Sequence, residues 1–86
     1  MTKILNEQVA LSVTSAAIRA ARGNRRSIVV KNLDGGITVY VGTGTITSAN
    51  GMELKPGESI ELFTTDSVNG IAASGTPTVA YIEEFD

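Results

Sequence analysis

The sequence predicts an all-β domain: a small antiparallel β-sandwich or jelly-roll-like barrel of about eight short strands. Three observations predict it. Apolar and polar residues alternate, as where Ile37, Val39 and Val41 are separated by Thr38 and Tyr40, the period-two pattern of a strand with one buried face. Turn-forming residues interrupt the chain about every 8–12 residues. Threonine, valine, isoleucine, serine and glycine are abundant, and the one helix-favouring run, Ala16 to Ala21, is short and lies between strand-like runs.

In chain order, residues 1–6 are expected to form a flexible N-terminal arm, leaving a single domain over residues 7–86. Val9, Leu11 and Val13 alternate with Ala10, Ser12 and Thr14 and predict the first strand. Ala16 to Ala21 predicts the second, with Ile18 inward and Arg19 outward. Arg22 to Arg25 is a turn. Ile28-Val29-Val30 is apolar on both faces, as in a central strand or one whose second face meets a partner. Asp34-Gly35-Gly36 then predicts a tight hairpin into the strand ending at Val41, because glycine accepts the positive φ such turns use. Gly42 to Asn50 reads as a connection in which Ile46 packs inward, and Asn50-Gly51 as a turn before a short strand at Met52-Glu53-Leu54. Lys55-Pro56-Gly57-Glu58 carries proline and glycine at the two central positions of a type II turn. Ser59 to Thr65 predicts a strand with Ile60 and Leu62 inward and Glu61 and Phe63 outward. Asp66 to Gly70 is a loop, Ile71-Ala72-Ala73 a short strand and Thr78 to Glu84 the last one, ahead of an acidic tail.

Composition bounds the function. A chain of 86 residues holds one core and buries roughly 60–65% of its unfolded surface, a margin that small domains usually reinforce. With no cysteine and no histidine, disulfides are excluded and no metal site or cofactor is expected, which leaves oligomerisation as the support. Net charge is −2, so no nucleic-acid partner is expected. No apolar run is long enough to span a membrane, and the first residues lack the apolar core of a signal peptide. The product is expected to be made in a cytoplasm, and kept or assembled there.

The residues that carry chemistry are few. Gly42-Thr43-Gly44-Thr45 lacks the Gly-Lys-Ser/Thr that a phosphate loop needs. The nine acidic residues show no spacing of calcium ligands. Without histidine the usual nucleophile–base pair is missing, so no catalytic residue and no enzyme is predicted. What remains is a set of candidate partner or oligomer contacts: the basic turn Arg22, Arg25 and Arg26, whose guanidinium groups suit carboxylate partners, and the four aromatics Tyr40, Phe63, Tyr81 and Phe85. Tyr40 and Phe63 fall on outward strand positions, and Phe85 is placed to anchor the C-terminus on a neighbour.

Several blocks together, Arg25 to Asn32, Val39 to Gly42, Thr47 to Leu54, Pro56-Gly57-Glu58 and Gly70 to Thr76, resemble a family of small β-sandwich structural proteins of tailed bacteriophages, several of them capsid decoration or cement proteins. The resemblance covers roughly residues 7–84 and consists of turn and strand patterning. It implies a virion protein on the outer capsid surface that bridges capsomers, made in the host bacterial cytoplasm. The implied partners are the major capsid protein and further copies of the chain, a trimer more than a dimer. The alternative it leaves is another virion part, such as a head-fibre base, tail or baseplate component with a host-binding role.

Overall fold

The computed structural model describes residues 2–86 and holds eight strands: β1 (Lys3–Ala10), β2 (Ala16–Arg19), β3 (Arg25–Asn32), β4 (Val39–Gly42), β5 (Met52–Leu54), β6 (Ser59–Leu62), β7 (Val68–Ala72) and β8 (Thr78–Phe85). They form two antiparallel four-stranded sheets, ordered β1-β8-β3-β6 and β2-β7-β4-β5. The pairing is nested. β1 pairs with β8, β2 with β7, β3 with β6 and β4 with β5, while β3–β8 and β4–β7 complete the sheets. This is the connectivity of a jelly roll, a long hairpin rolled into a sandwich, and the expected all-β sandwich is found.

Alternation decides which residues meet between the sheets. Ile28 and Val30 from β3, Val39 and Val41 from β4, Val68 and Ala72 from β7 and Val79 and Tyr81 from β8 are buried, with Leu11, Ile18 and Leu54 closing the core. Each large aliphatic side chain buried there contributes about 1.5–3 kcal/mol. Gly57 sits at φ +84°, and the amide of Glu58 donates to the Lys55 carbonyl at 2.9 Å, so the type II turn forms as expected. Ile46 is buried, 3% exposed, but lies outside the main core. It packs on the outer side of the second sheet, where a Cβ at Gly51 would stand 2.7 Å from both Ile46 Cγ2 and Tyr40 Cβ; only glycine lets the loop approach so closely.

Four expectations are corrected. The arm over residues 1–6 is, from Lys3 onward, part of β1, paired residue for residue with β8; Met1 lies outside the described residues. The β8 strand offers eight backbone positions, and a partner strand satisfies them better than a free arm. The strand expected to run to Thr65 ends at Leu62. The loop expected over residues 66–70 already enters β7 at Val68.

The fourth concerns Asp34-Gly35-Gly36, which is not a hairpin: β3 and β4 lie in different sheets, and the segment carries the chain across. Among the described residues, glycines at positive φ are Gly44, Gly57 and Gly75, not Gly35 or Gly36. Side chains make the bend instead. The Asp34 carboxylate accepts from the amides of Gly36 at 2.8 Å and Ile37 at 2.7 Å. Asn32, fully buried, donates to the carbonyls of Ile37 at 2.8 Å and Leu54 at 3.0 Å, and accepts from the Asp34 amide. One amide side chain thus ties β3 to β5 and to the segment leading into β4. Asn32→Ala should cost about 2–4 kcal/mol, because it orphans buried backbone groups as well as removing bonds; urea unfolding measures it, and a loss under about 0.5 kcal/mol would show that water replaces the amide.

Candidate functional site

Two features outside the apolar core stand out: a charged cluster built on a buried carboxylate and an outer sheet face that exposes isoleucines among polar residues. The charged cluster is built on Glu83. Val79, Tyr81 and Glu83 alternate along β8 on its inward side, so the carboxylate is carried into the interior and is fully buried. Three arginines meet it. Arg25 Nε donates to Oε2 at 2.7 Å. Arg19 Nε lies 3.3 Å from Oε1, brought there by a register shift between Ala17 and Arg19; such a bulge turns two successive side chains to one side, so Ile18 and Arg19 both reach inward, against the outward position expected for Arg19. Arg22 Nε stands 3.0 Å from Oε1 as an ion pair, but its N–H does not point at an acceptor. The Arg22 guanidinium lies over the Phe85 ring, 3.7 Å from its centre, a cation–π contact.

Burial acts most strongly on Glu83 and by itself raises its pKa. The Arg25 hydrogen bond and the charges of Arg19, Arg25 and Arg22 oppose this and hold the carboxyl below its ordinary value. Arg25 is committed entirely to the fold. Beyond Glu83 it donates through Nη1 to the carbonyls of Thr64 at 3.1 Å and Asp66 at 2.7 Å, and through Nη2 to that of Ala20 at 2.6 Å. It fastens the β6–β7 and β2–β3 connections to β8.

The candidate contact residues therefore divide. Arg25 and Tyr81 are withdrawn from any interface, because both side chains are buried. Tyr81 packs in the core and donates its hydroxyl to Glu7 at 2.6 Å; burial first, then this bond to a carboxylate, raises its pKa. Phe85 is half-buried as the platform for Arg22 of its own chain. Arg26 is exposed and lies 3.8 Å from the Asp86 carboxylate. Tyr40 is half-buried on the outer side of the second sheet, across from Glu53 and Ile71. Phe63 is 77% exposed. The structure brings Arg22 and Phe85 together. Arg19 and Glu83 were missed in the sequence reading, although the inward parity of Glu83 with Val79 and Tyr81 was a visible signal.

The second feature is the outer face of β1-β8-β3-β6. Register places Asn6, Ile82, Val29 and Glu61 in one row across it and Gln8, Ala80, Lys31 and Ser59 in the next. Ile82 is 44% exposed and Ile4, near it on β1, is 61% exposed. Asn6, Gln8, Val29, Lys31, Ala80 and Ile82 are among the residues lining an open depression of about 540 Å³. Among the described residues no group of three or more acidic, histidine or cysteine side chains is placed to hold a metal ion.

The likeness to known proteins is one of fold. No family model matches the sequence, and no curated protein does. The chain is similar in structure to the stem and receptor-binding domain of spike protein P1 from bacteriophage PM2, with a TM-score of 0.67 and 17% identity, over 85% of this chain but only 30% of that one. It is similar to a Bacillus endospore appendage protein of disulfide-linked pili, with a TM-score of 0.57 and 17% identity over 99% of this chain and 86% of that one. An HTH_3 family transcriptional regulator from Vibrio cholerae shares the fold at a TM-score of 0.65 and 15% identity, over 99% of this chain and 43% of the regulator. One jelly roll thus serves a spike, a pilus and a regulator, so function rests on the surfaces this chain displays.

Proposed function

We propose that the chain is a virion structural subunit, a decoration or cement protein that binds the major capsid protein on the outer shell and acts by adhesion without catalysis. The observation that carries this reading is the outer face of β1-β8-β3-β6. It sets Ile4, Ile82, Val29 and Ala80 among amides and the charges of Lys31 and Glu61, the mixture of exposed apolar and polar groups that protein interfaces use. A broad open face of this kind fits a flat partner surface better than a small ligand, which needs an enclosed site. Many copies on a symmetric shell would each contribute modest affinity that adds up in particle stability. The fold likeness to a phage spike domain and to a pilus protein supports the coarser part of this reading, a virion or structural role.

Cosedimentation of the purified protein with capsids of the encoding particle tests it. Saturable binding to expanded shells is expected. Ile82→Ser should weaken it about 30-fold, the cost of a central apolar contact, while the thermal transition stays within a few degrees of wild type. Absence of binding to any shell form would remove the proposal.

A second reading, a fibre or tail component with a host-binding role, is favoured by the fold likeness to a phage spike domain. Electron microscopy of labelled particles separates the two, with label on the shell expected for the first and at a vertex or tail for the second.

A further inference from the structure

The four edge strands are managed unequally. β2, β5 and β6 have four, three and four residues, and β2 is bulged as well; short or bulged edges are the usual protection against unwanted pairing. β1 is different. It runs for eight residues, Lys3–Ala10, in unbroken register with β8, and has no proline, glycine or bulge. Its other side pairs with nothing among the described residues. Half of its backbone donors and acceptors therefore point outward as a template for another strand.

The geometry points to a second copy of this chain as the occupant, with β1 pairing antiparallel to β1 of the partner across a two-fold axis at Leu5. Charge selects this register. Residues directly opposite in an antiparallel pair share a face, so symmetric registers step by two. Centred on Leu5, the pairing sets Lys3 opposite the partner's Glu7 twice over, on either side of a contact between Leu5 and the partner's Leu5. Leu5 already packs against the core, so that contact continues it. Centred on Asn6, the pairing would put Glu7 against the partner's Leu5; centred on Glu7, it would oppose two carboxylates. Opposite charges across strands are favourable and like charges are not. On the other face, the chosen register brings the exposed Ile4 beside the partner's Asn6, in the row that continues through the partner's Ile82 and Val29. The product is one continuous eight-stranded sheet and a closed two-fold dimer, where the family resemblance implies a trimer.

This rests on the edge strand alone and is independent of the capsid reading. Light scattering over a concentration series of the full chain tests it. A dimer is expected for the wild type. Lys3→Glu, at an exposed position, should weaken dimerisation by about tenfold or more by opposing like charges twice. Lys3→Glu combined with Glu7→Lys should restore it, because the swap regenerates both pairs. Circular dichroism melting confirms that each variant folds, and Lys3→Gln, which removes charge without reversing it, should fall between wild type and Lys3→Glu. A wild-type monomer, a trimer, or a dimer indifferent to Lys3→Glu would each overturn the proposal, as would a double variant no better than Lys3→Glu.

Discussion

Glu83→Ala should destabilise the domain by about 3–5 kcal/mol, the cost of removing one partner from a buried ion pair. The loss is larger than a missing hydrogen bond because of what remains. Arg25, with no exposed side-chain surface, would stay buried as an uncompensated charge beside Arg19 and Arg22. It cannot swing out to water without releasing the carbonyls of Ala20, Thr64 and Asp66. Arg25→Met should therefore also be costly, since methionine leaves three acceptors without donors, and the double variant should not recover wild-type stability. Urea unfolding monitored by circular dichroism measures each. A Glu83→Ala loss below about 1 kcal/mol would mean that the arginines are solvated.

The same cluster sets the acid limit. The folded-state pKa of Glu83 is depressed, so the folded state holds its proton less tightly than the unfolded chain. Its stabilisation is fully present above the ordinary carboxylate pKa and is lost as pH falls through the lower folded value. Wild type should lose stability on acidification through that window, and Glu83→Gln should flatten this part of the profile.

Val39→Asp is expected to abolish folding. Val39 has no exposed surface and sits on β4 between Leu54 of β5 and Ala72 of β7. Both of its strand neighbours are apolar. An unpaired carboxylate there must be desolvated or protonated, at several kcal/mol, and the lost valine packing adds to this. A domain of this length has only about 4–13 kcal/mol of total stability. The expected result is insoluble protein, or a soluble chain without a cooperative melting transition. Tyr40→Ala, one residue further on and facing outward, should keep that transition. A folded Val39→Asp would place β4 outside the core.

These expectations show how far the sequence reaches. Period-two alternation is a local property of the chain, and it identified Val39 and Val41 as inward before any partner was known, whereas Ile28-Val29-Val30, apolar on both faces, left the inward side to the structure, which buries Ile28 and Val30. Pro56-Gly57 specified its turn for the same reason: the φ constraint acts within a few residues. In the structure Asn32 and Glu83 face inward, in step with Val30 and Tyr81, a parity that the sequence carries but that was not read from it. Alternation could not say what would satisfy them, since their partners are set by pairings distant in sequence. Arg25 is 58 residues from Glu83 and Arg19 is 64. Without those partners Glu83 reads as part of an acidic tail, Arg25 as a solvated turn and Tyr81 as a contact residue.

The sequence by itself thus determined an all-β chain, the number of its strands and the side of several of them that faces inward, because backbone propensity and side-chain parity are local. The tertiary structure alone decided that Asp34-Gly35-Gly36 crosses between sheets rather than closing a hairpin, that β1 begins at Lys3, that three arginines converge on one carboxylate, and which residues share an outer face. Each of these depends on strand order, which follows from burial summed over the whole molecule and leaves no signature in any single segment.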